Sequence, residues 1–360
     1  MTNDVVFSQQ GCLGIIALNR PKALNALSSK IMGAMSAQLS LWRADENIQA
    51  IILQHSGGKA FCAGGDVREV HAAQQANSLF DKIELIRVEY FLDHQIATYP
   101  KPIIALIDGI TFGGGAGISL HTAFSVATEN TLFSMPEARI GLFPDAGVDR
   151  LLCGLEGSFG VYLGLTGARL KAADMCAFGL AQYCLEAEQI PEILRKLSAS
   201  KNINKESINA ILQGNIAAEP LDYTEEMKQW IADTFCFKET QQILEKVHLD
   251  QDNPALSDSL RSLAKTALEA MEESSPLSLC VTHQLLSRPA MPLRQTLQQN
   301  YALVQNCLEG GDFYEGVRAL LVDKDRKPNW RYKNIALVDQ SVVDGFFNPL
   351  LPELDYLVST

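Results

Sequence analysis

The sequence has no hydrophobic run long enough to cross a membrane. Its strongest apolar run, Ile103–Ile107, is closed by Asp108, whereas a membrane-spanning helix needs about 20 apolar residues. The segment before Arg20 also contains no Lys or Arg, the residues with which a secretory signal or a transit helix begins. We therefore expect no membrane association and a mature, cytoplasmic chain.

Cysteine pairs with the spacing of metal ligands are also missing. The eight cysteines are scattered, with no CxxC pair and no Cys/His ligand spacing. This distribution argues against a zinc ribbon and against a disulfide framework. We expect free or buried thiols in a reducing compartment and no metal site.

Positive charge is scarce as well. Lys and Arg number 30 against 42 Asp and Glu, which gives a formal net charge of −12. The chain therefore lacks the basic surface with which proteins bind nucleic acid or anionic lipid, and an anionic ligand needs a locally basic site. With 47% hydrophobic and 20% charged side chains, the composition is typical of a globular protein. The length of 360 residues predicts one large domain and a smaller companion.

Short buried strands alternate with helices through roughly the first 185 residues, which predicts an α/β fold. Residues 5–18 are predicted to form two short strands, and Ser28 to cap a helix. The apolar residues of that helix fall on one face: Ile31, Met35, Leu39 and Trp42. Two further apolar runs, 50–53 and 102–107, lead into glycine-rich loops.

Helical patterns dominate beyond about residue 186. They cover residues 225–235, 257–271, 276–286 and 293–308, and residues 201–275 carry an excess of acidic side chains, which we interpret as a solvated helical face. The change in pattern predicts a core over residues 1–200 and a mainly helical region over residues 201–360 that completes the fold.

The two glycine-rich loops, residues 61–66 and 111–117, are the most informative feature of the chain. Glycine lets the backbone approach a ligand, and two N–H groups that converge on one oxygen stabilise an oxyanion. Tight turns and close helix packing are the structural alternative. Neither loop fits GxGxxG or GxxxxGK[ST], so nucleotide binding of those types is not supported.

Other possible catalytic residues have simpler explanations. Residues 117–121 are similar to the nucleophile elbow of serine hydrolases, but His121 stands where the second glycine belongs. Asp66 is predicted to be a helix N-cap. His55, His71 and His94 lack the partners that a metal site or a triad requires, so none of them is assigned a role.

Glu137 and Asp145 place two carboxylates near one apolar segment. Surroundings of Phe, Leu and Ile favour a raised pKa, which suits an acid, a base or a nucleophile. Helix capping by either residue is the alternative, and spacing alone does not decide between the two.

Four sequence motifs together resemble the crotonase (enoyl-CoA hydratase/isomerase) superfamily over roughly residues 5–185. They are Asn-Arg-Pro-Lys-Ala-Leu-Asn-Ala-Leu at residues 19–27, the AGGD and GGG loops, and Met135-Pro136-Glu137. Glu89-Tyr90, the segment 135–145, the C-terminal GDFYEGVRA at 311–319 and Asp-Lys-Asp at 323–325 extend the resemblance over nearly the whole chain. These further motifs are similar to those of the branch that hydrolyses 3-hydroxyacyl-CoA thioesters.

The resemblance implies a crotonase-type spiral of repeated ββα units with a mainly helical C-terminal region. The implied ligand is an acyl-CoA thioester. No metal or redox cofactor is implied, since coenzyme A arrives as part of the substrate, and a homo-oligomer is common in the superfamily.

The resemblance also implies roles for individual residues. The backbone N–H groups of Gly65 and Gly114 would form the oxyanion hole, and Lys22 and Ala23 would lie along the CoA. Among the acidic residues, the implied roles are the principal catalytic carboxylate for Glu137, its partner for Asp145, and a substrate-pocket residue for Glu89.

The implied reaction is hydrolysis of 3-hydroxyisobutyryl-CoA in valine catabolism. Hydratases of the superfamily use a second glutamate just after the GGG loop, where this chain has Gly117. Thioester hydrolysis does not need a second acidic group to protonate the leaving group, because a thiolate whose thiol has a pKa of roughly 8.5 leaves readily. An enoyl-CoA hydratase or isomerase that uses Glu137 alone is one alternative, and a non-catalytic acyl-CoA-binding protein is another.

One segment departs from the pattern of the hydrolases. After Asp145 they usually continue with glycines and an aromatic residue, whereas residues 146–151 here read Ala-Gly-Val-Asp-Arg-Leu. Arg150 is expected either to pair with Asp149 on the surface or to alter the acyl pocket.

Overall fold

The computed structural model describes residues 4–76, 78–200, 202–213 and 221–354. Its strands are β1 Val5–Gln10, β2 Leu13–Leu18, β3 Ala50–His55, β4 Ala60–Cys62, β5 Ile103–Ile107, β6 Ile110–Phe112, β7 Phe124–Thr128, β8 Leu132–Ser134, β9 Leu170–Lys171 and β10 Tyr183–Leu185. Its α-helices are α1 Ser29–Ala44, α2 Val67–Ala72, α3 Leu79–Lys82, α4 Glu84–Ala97, α5 Gly114–Leu120, α6 Val148–Cys153, α7 Phe159–Thr166, α8 Ala172–Ala177, α9 Ile190–Ser198, α10 Lys205–Gln213, α11 Glu225–Thr234, α12 Thr240–Asp250, α13 Asp258–Glu272, α14 Pro276–Leu286, α15 Leu293–Gly310, α16 Phe313–Val317 and α17 Gln340–Phe346.

Shorter helical turns complete the described residues. The 3-10 turns are Pro21–Ala23, Ala73–Gln75, Glu137–Ile140, Ala187–Gln189 and Ile335–Leu337, and Arg318–Val322 is a π-helix. None of the helices in these ranges is both long and apolar enough to span a membrane.

The described residues divide into two compact units. Unit 1 draws on Met1–Asp66, Val88–Phe133 and Leu170–Asp222, and unit 2 on Val67–Arg87, Ser134–Arg169 and Tyr223–Thr360. The predicted division into residues 1–200 and 201–360 stays a prediction. Residue 201, where it falls, lies outside the described residues, as do residues 1–3 of the N-terminal segment.

Unit 1 contains a repeated ββα pattern. Each of the pairs β3/β4, β5/β6 and β7/β8 gives its first strand to a six-stranded sheet of order β1-β2-β3-β5-β7-β10. The second strand of each pair joins a four-stranded sheet of order β4-β6-β8-β9. The neighbours β2 to β10 in the larger sheet are parallel, and β1 pairs with β2 as an antiparallel hairpin. This is the α/β repeat predicted from the sequence.

The first helix forms as the sequence predicts. The Ser28 side chain accepts a hydrogen bond from the Ile31 backbone N–H, which satisfies a donor at the start of α1. The four apolar residues predicted for its inner face are all buried: Ile31, Met35, Leu39 and Trp42.

The core of unit 1 lies between the six-stranded sheet and two helices. Alternate residues of β2, β3, β5 and β7, such as Leu13, Ile52 and Leu106, are buried in one cluster with residues of α9 and α10. Burying β-branched and leucine side chains in this way supplies most of the free energy that holds such a layer together.

Unit 2 is helical in its described residues, and α7 is its most buried helix. Every residue of α7 is buried, as expected for a helix that is apolar on all sides. Its Phe159 and Tyr162 rings pack edge-to-face with Tyr223. The helices predicted over 225–308 are present as α11, α13, α14 and α15, and no strand follows β10 in the described residues.

Candidate active site

The segment 19–27 is bound to the first glycine loop in unit 1. The Leu27 N–H donates to the Gly64 carbonyl over 2.9 Å, and the Asp66 N–H donates to the Leu27 carbonyl over 2.7 Å. Lys22 and Ala23 lie in the 3-10 turn of this segment, with Lys22 exposed and Ala23 half-buried. A ligand can therefore reach both residues beside the loop that carries Gly65.

Asn25 fixes the shape of this segment. Its side chain is buried, accepts from the Arg20 N–H over 2.7 Å and donates to the Ala60 carbonyl over 2.8 Å. Its backbone has φ of +56°, a conformation that asparagine tolerates better than most residues. The Arg20 guanidinium then reaches Asp66 over 2.7 Å, so the Asp66 carboxylate, predicted as a cap, forms an ion pair just before α2.

The backbone amides of Gly65 and Gly114 lie close together. A Cβ atom placed on Gly114 would be 3.5 Å from the Gly65 nitrogen and only 1.6 Å from Oε1 of Glu89. Glu89 is buried at 3% exposure. The structure thus brings together three of the predicted site residues, and only glycine fits at position 114.

The Cys62 thiol in the same loop is not suited to act as a nucleophile. Burial is the largest cause that raises its pKa to about 12; a hydrogen bond to Gly64 lowers the pKa, and the nearby charges of Glu89 and Asp93 contribute to the rise. A thiol must ionise to be a strong nucleophile. The carboxylates therefore remain the candidates for the chemistry.

The serine-hydrolase alternative is wrong for residues 117–121. A nucleophile elbow needs a sharp turn between a strand and a helix, whereas Gly117 and Ser119 lie inside α5. The buried Ser119 hydroxyl donates to the Gly115 carbonyl over 2.7 Å. This bond within the helix removes it from nucleophilic chemistry.

Glu137 begins a tight turn in unit 2. It is 6% exposed and is the first residue of the 3-10 turn Glu137–Ile140, whose N-cap is Pro136. The Leu142 N–H closes the turn on the Glu137 carbonyl over 3.0 Å. Glu137 is therefore not the capping residue of this turn, and its side chain is buried.

The C-terminal motif 311–319 packs against this turn. A Cβ atom on Gly316 would lie 2.5 to 2.7 Å from the backbone of Ile140. The Ser275 N–H donates to the Ala138 carbonyl over 3.0 Å, and the Ser275 hydroxyl donates to Asp312 over 2.6 Å. The motif thus supports the backbone that carries Glu137.

Arg318 holds the end of the same motif. Its guanidinium contacts Glu315, Asp323 and Asp325 at 2.6 to 2.8 Å. The acidic residues at 323–325 that carry the resemblance therefore serve as ion-pair partners of Arg318.

Asp145 precedes a turn that also holds Asp149. Asp145 is 5% exposed and Asp149 is 2% exposed. The expected surface pair between Asp149 and Arg150 is wrong, because Asp149 is buried and accepts a hydrogen bond from Asn300 over 3.1 Å. Sequence reasoning missed Asn300, which lies about 150 residues downstream with no local signal.

His55 has a partner that the sequence did not predict. Its Nε2 lies 3.5 Å from Asp108, and its Nδ1 accepts from the Gly57 N–H over 3.0 Å. The hydrogen bond with Asp108 raises the pKa of His55 and lowers that of Asp108 to about 2. Asp108 and the Gly57 N–H together engage both ring nitrogens of His55, and His55 is still assigned no catalytic role. No group of three or more potential metal ligands occurs within the described ranges.

Comparison with known proteins matches the chain to one family. The model of the enoyl-CoA hydratase/isomerase family matches residues 13–347. The chain is 42% identical to "3-hydroxyisobutyryl-CoA hydrolase, mitochondrial" of Gallus gallus, over 96% of this chain and 89% of that protein. It is 40% identical to the protein of the same name from Xenopus tropicalis, over 97% of this chain and 91% of that protein.

A solved structure gives the same result for the fold. The crystal structure of an enoyl-CoA hydratase from Rhodobacter sphaeroides 2.4.1 is 32% identical, with a TM-score of 0.86, and covers 97% of this chain and 98% of its own. The predicted crotonase-type fold is confirmed. The chain belongs to the enoyl-CoA hydratase/isomerase family.

Proposed function

We propose that this chain hydrolyses the thioester of a 3-hydroxyacyl-CoA, with 3-hydroxyisobutyryl-CoA as the main substrate. The observation that carries the proposal is the 40–42% identity, over nearly the whole chain, to relatives named for that reaction. The adjacent amides of Gly65 and Gly114 add support, because a paired set of N–H donors suits a thioester oxyanion.

The proposed mechanism assigns the oxyanion to the N–H groups of Gly65 and Gly114. Glu137 either takes a proton from water as the water oxygen attacks the carbonyl carbon, or attacks that carbon itself to form an anhydride. In both routes the C–S bond breaks and the CoA thiolate leaves. Water then opens the anhydride in the second route.

The remaining residues bind the substrate in this proposal. Asp145 contacts the 3-hydroxyl group or positions the water, Glu89 lines the substrate pocket, and Lys22 and Ala23 lie along the CoA. The reaction needs no metal or redox cofactor, since the thiolate is a good leaving group.

Thiol release tests this function directly. Wild-type protein should release CoA from 3-hydroxyisobutyryl-CoA and 3-hydroxypropionyl-CoA. Glu137→Gln should lower kcat by about 10²- to 10⁴-fold while binding of the CoA ester is retained. The matched control is Glu269→Gln, which changes an exposed residue of α13 and should leave turnover unchanged.

Two outcomes would contradict the proposal. Turnover by Glu137→Gln at the wild-type rate would remove the catalytic carboxylate from the mechanism. Tight binding of these esters without turnover would favour a non-catalytic acyl-CoA-binding protein.

Enoyl-CoA hydration is the second candidate, because the solved neighbour of 32% identity is named an enoyl-CoA hydratase. Gly117 lies buried in α5 without a side chain, at the position where the resemblance implies the second glutamate of hydratases. Loss of the conjugated-thioester absorbance of an enoyl-CoA, without thiol release, would establish this activity.

We also propose a role in valine degradation, a cytoplasmic location and a homo-oligomeric state. The relatives are named mitochondrial, so fractionation of the source cells should compare the cytosol with any mitochondria present. Light scattering on the purified chain measures the oligomeric state.

A further inference from the structure

Asp149 is a buried acid at the start of α6, four residues after Asp145. Its side chain is 2% exposed, and its Oδ2 accepts a hydrogen bond from Nδ2 of Asn300 over 3.1 Å. Its Oδ1 is buried and makes no hydrogen bond with the described residues. An ionised carboxylate needs several donors when it is buried, and this one has few.

Asn300 ties Asp149 to the backbone that follows Asp145. The Asn300 Oδ1 accepts from the Gly147 N–H over 3.0 Å, while its Nδ2 donates to Asp149. Ala146 and Gly147 have φ of +54° and +70°, so two left-handed residues follow Asp145. One side-chain amide from α15 therefore holds both the middle of this turn, at Gly147, and its end, at Asp149.

Electrostatics favours the neutral form of Asp149. Burial raises the pKa of Asp149 to about 8, and the negative charge of Asp145 raises it as well. The Asn300 hydrogen bond and the backbone N–H groups of residues 149 and 150 oppose this rise. Burial therefore favours the protonated form of Asp149 beside Asp145.

The ionisable groups around Asp149 include Arg150 and Cys153 on α6 itself and groups on the packed helices α7, α14 and α15. Burial raises the pKa of Cys153, on α6 itself, to about 12, with a contribution from Asp149. On α15, burial and the charge of Asp145 raise the pKa of Cys307. On α7 and α14, burial raises the pKa of Tyr162 and of Cys280 and lowers that of His283. Tyr223 makes a smaller contribution to the shift of Tyr162, and Glu239 to those of Cys280 and His283.

We propose that Asp149 is a positioning residue for Asp145: as a neutral acid held by Asn300, it fixes the 145–149 turn and leaves Asp145 the only charge within it. The inference rests on the proposed function, in which Asp145 contacts the substrate hydroxyl or the water. When Asp149 loses its proton, a second negative charge stands beside Asp145. Substrate hydrolysis then falls because the turn and the charge of Asp145 are both disturbed.

The pH profile of thiol release from 3-hydroxyisobutyryl-CoA tests this role. Wild-type kcat/KM should decline as the pH rises through about 8. Asp149→Asn is a neutral isostere that keeps an acceptor for Asn300. The kcat/KM of this variant should therefore stay within about threefold of its neutral-pH value up to pH 9.5. Asp252→Asn, which changes an exposed residue, should retain the wild-type decline.

Thermal unfolding against pH gives a readout that does not need activity. The pKa of Asp149 is raised in the folded chain from 3.8 to about 8, so the folded state holds a proton that the unfolded state releases. The contribution of Asp149 to the free energy of unfolding then falls progressively as the pH rises from about 4 to 8, and it does not change further at higher pH. The Tm of Asp149→Asn should accordingly exceed that of wild type by an amount that grows from pH 5 to 8.

The outcomes separate this inference from the proposed function. Wild-type protein that releases no thiol contradicts the proposed function. An active enzyme in which Asp149→Asn shows the same alkaline decline, or a Tm difference independent of pH, overturns the role of Asp149. If Asp149→Asn does not fold, Asp149→Ser is also neutral, and the same results for it decide the question.

Discussion

At the scale of single residues, the candidate oxyanion site depends on the absence of a side chain at position 114. The nearest atoms to a Cβ there would be Oε1 and Cδ of Glu89, followed by the nitrogen of Gly65 at 3.5 Å. Any larger residue must displace either the Glu89 carboxylate or the backbone amides. The donor geometry and the position of Glu89 are therefore coupled.

We expect Gly114→Ala to lower kcat for thiol release by about 10²-fold or more, the loss that follows removal of one oxyanion donor. The measurement is steady-state hydrolysis of 3-hydroxyisobutyryl-CoA by folded protein. Gly33→Ala is the control, because a Cβ on Gly33 meets nothing within 4 Å. It should keep full activity and gain about 1 kcal/mol of helix stability.

A double mutant identifies the cause of this loss. In a Glu89→Ala background the closest contact of the new Cβ is gone, so adding Gly114→Ala should cost less activity than it does in wild type. Equal losses in both backgrounds would mean that Glu89 does not determine the space at position 114.

At the scale of elements, the turn that carries Glu137 is supported by α14 and α16. Asp312 accepts from the Ser275 hydroxyl and also from the Arg331 N–H over 2.7 Å. Gly316 allows α16 to approach the backbone of Ile140. The C-terminal motif therefore supports, through packing, the turn that carries Glu137, the carboxylate that we propose to be catalytic.

We expect Gly316→Ala to lower kcat about tenfold with a smaller change in KM, because the new Cβ would push on the turn that positions Glu137. Overpacking of this kind also costs about 1–3 kcal/mol of stability. Kinetics and denaturant unfolding measure the two effects.

Gly345→Ala is the matched control in the same unit. Gly345 also lies in a short helix, α17, but a Cβ there meets nothing within 4 Å. Its activity and stability should not fall. A Gly316→Ala enzyme with unchanged kcat would contradict the support of the Glu137 turn by α16.

At the scale of the whole molecule, every cysteine is a free thiol and their exposure differs widely. Cys236 is exposed, whereas Cys62, Cys184 and Cys307 are buried. The thiolate is the reactive form, and burial both blocks access and opposes ionisation. Cys236 is therefore the most accessible thiol among the described residues, since the four remaining cysteines are only partly exposed.

We expect a thiol reagent to modify Cys236 first in the native protein and all eight cysteines after unfolding. Cys236→Ser should remove the fast phase. A reducing agent should leave the Tm unchanged, because no disulfide constrains the unfolded chain. A fast phase that survives Cys236→Ser, or a Tm that falls on reduction, would contradict this distribution.

Local patterns in the sequence determined much of this protein. The cap at Ser28, the apolar face of α1, the helices beyond residue 225 and the glycine-rich loops follow from interactions within a few residues. The motifs also identified the family, which the comparisons confirmed.

Other features were decided only when distant segments packed together. Asp149 lies in α6, a helix of six residues, which is too short for periodicity to predict which side chains are buried. Its partner Asn300 lies in α15. Likewise, Gly316 packs against Ile140, and Asp108 pairs with His55. Caps, turns and periodic faces are encoded locally, whereas contacts between distant residues depend on the packing of whole elements, so only the tertiary structure determined them.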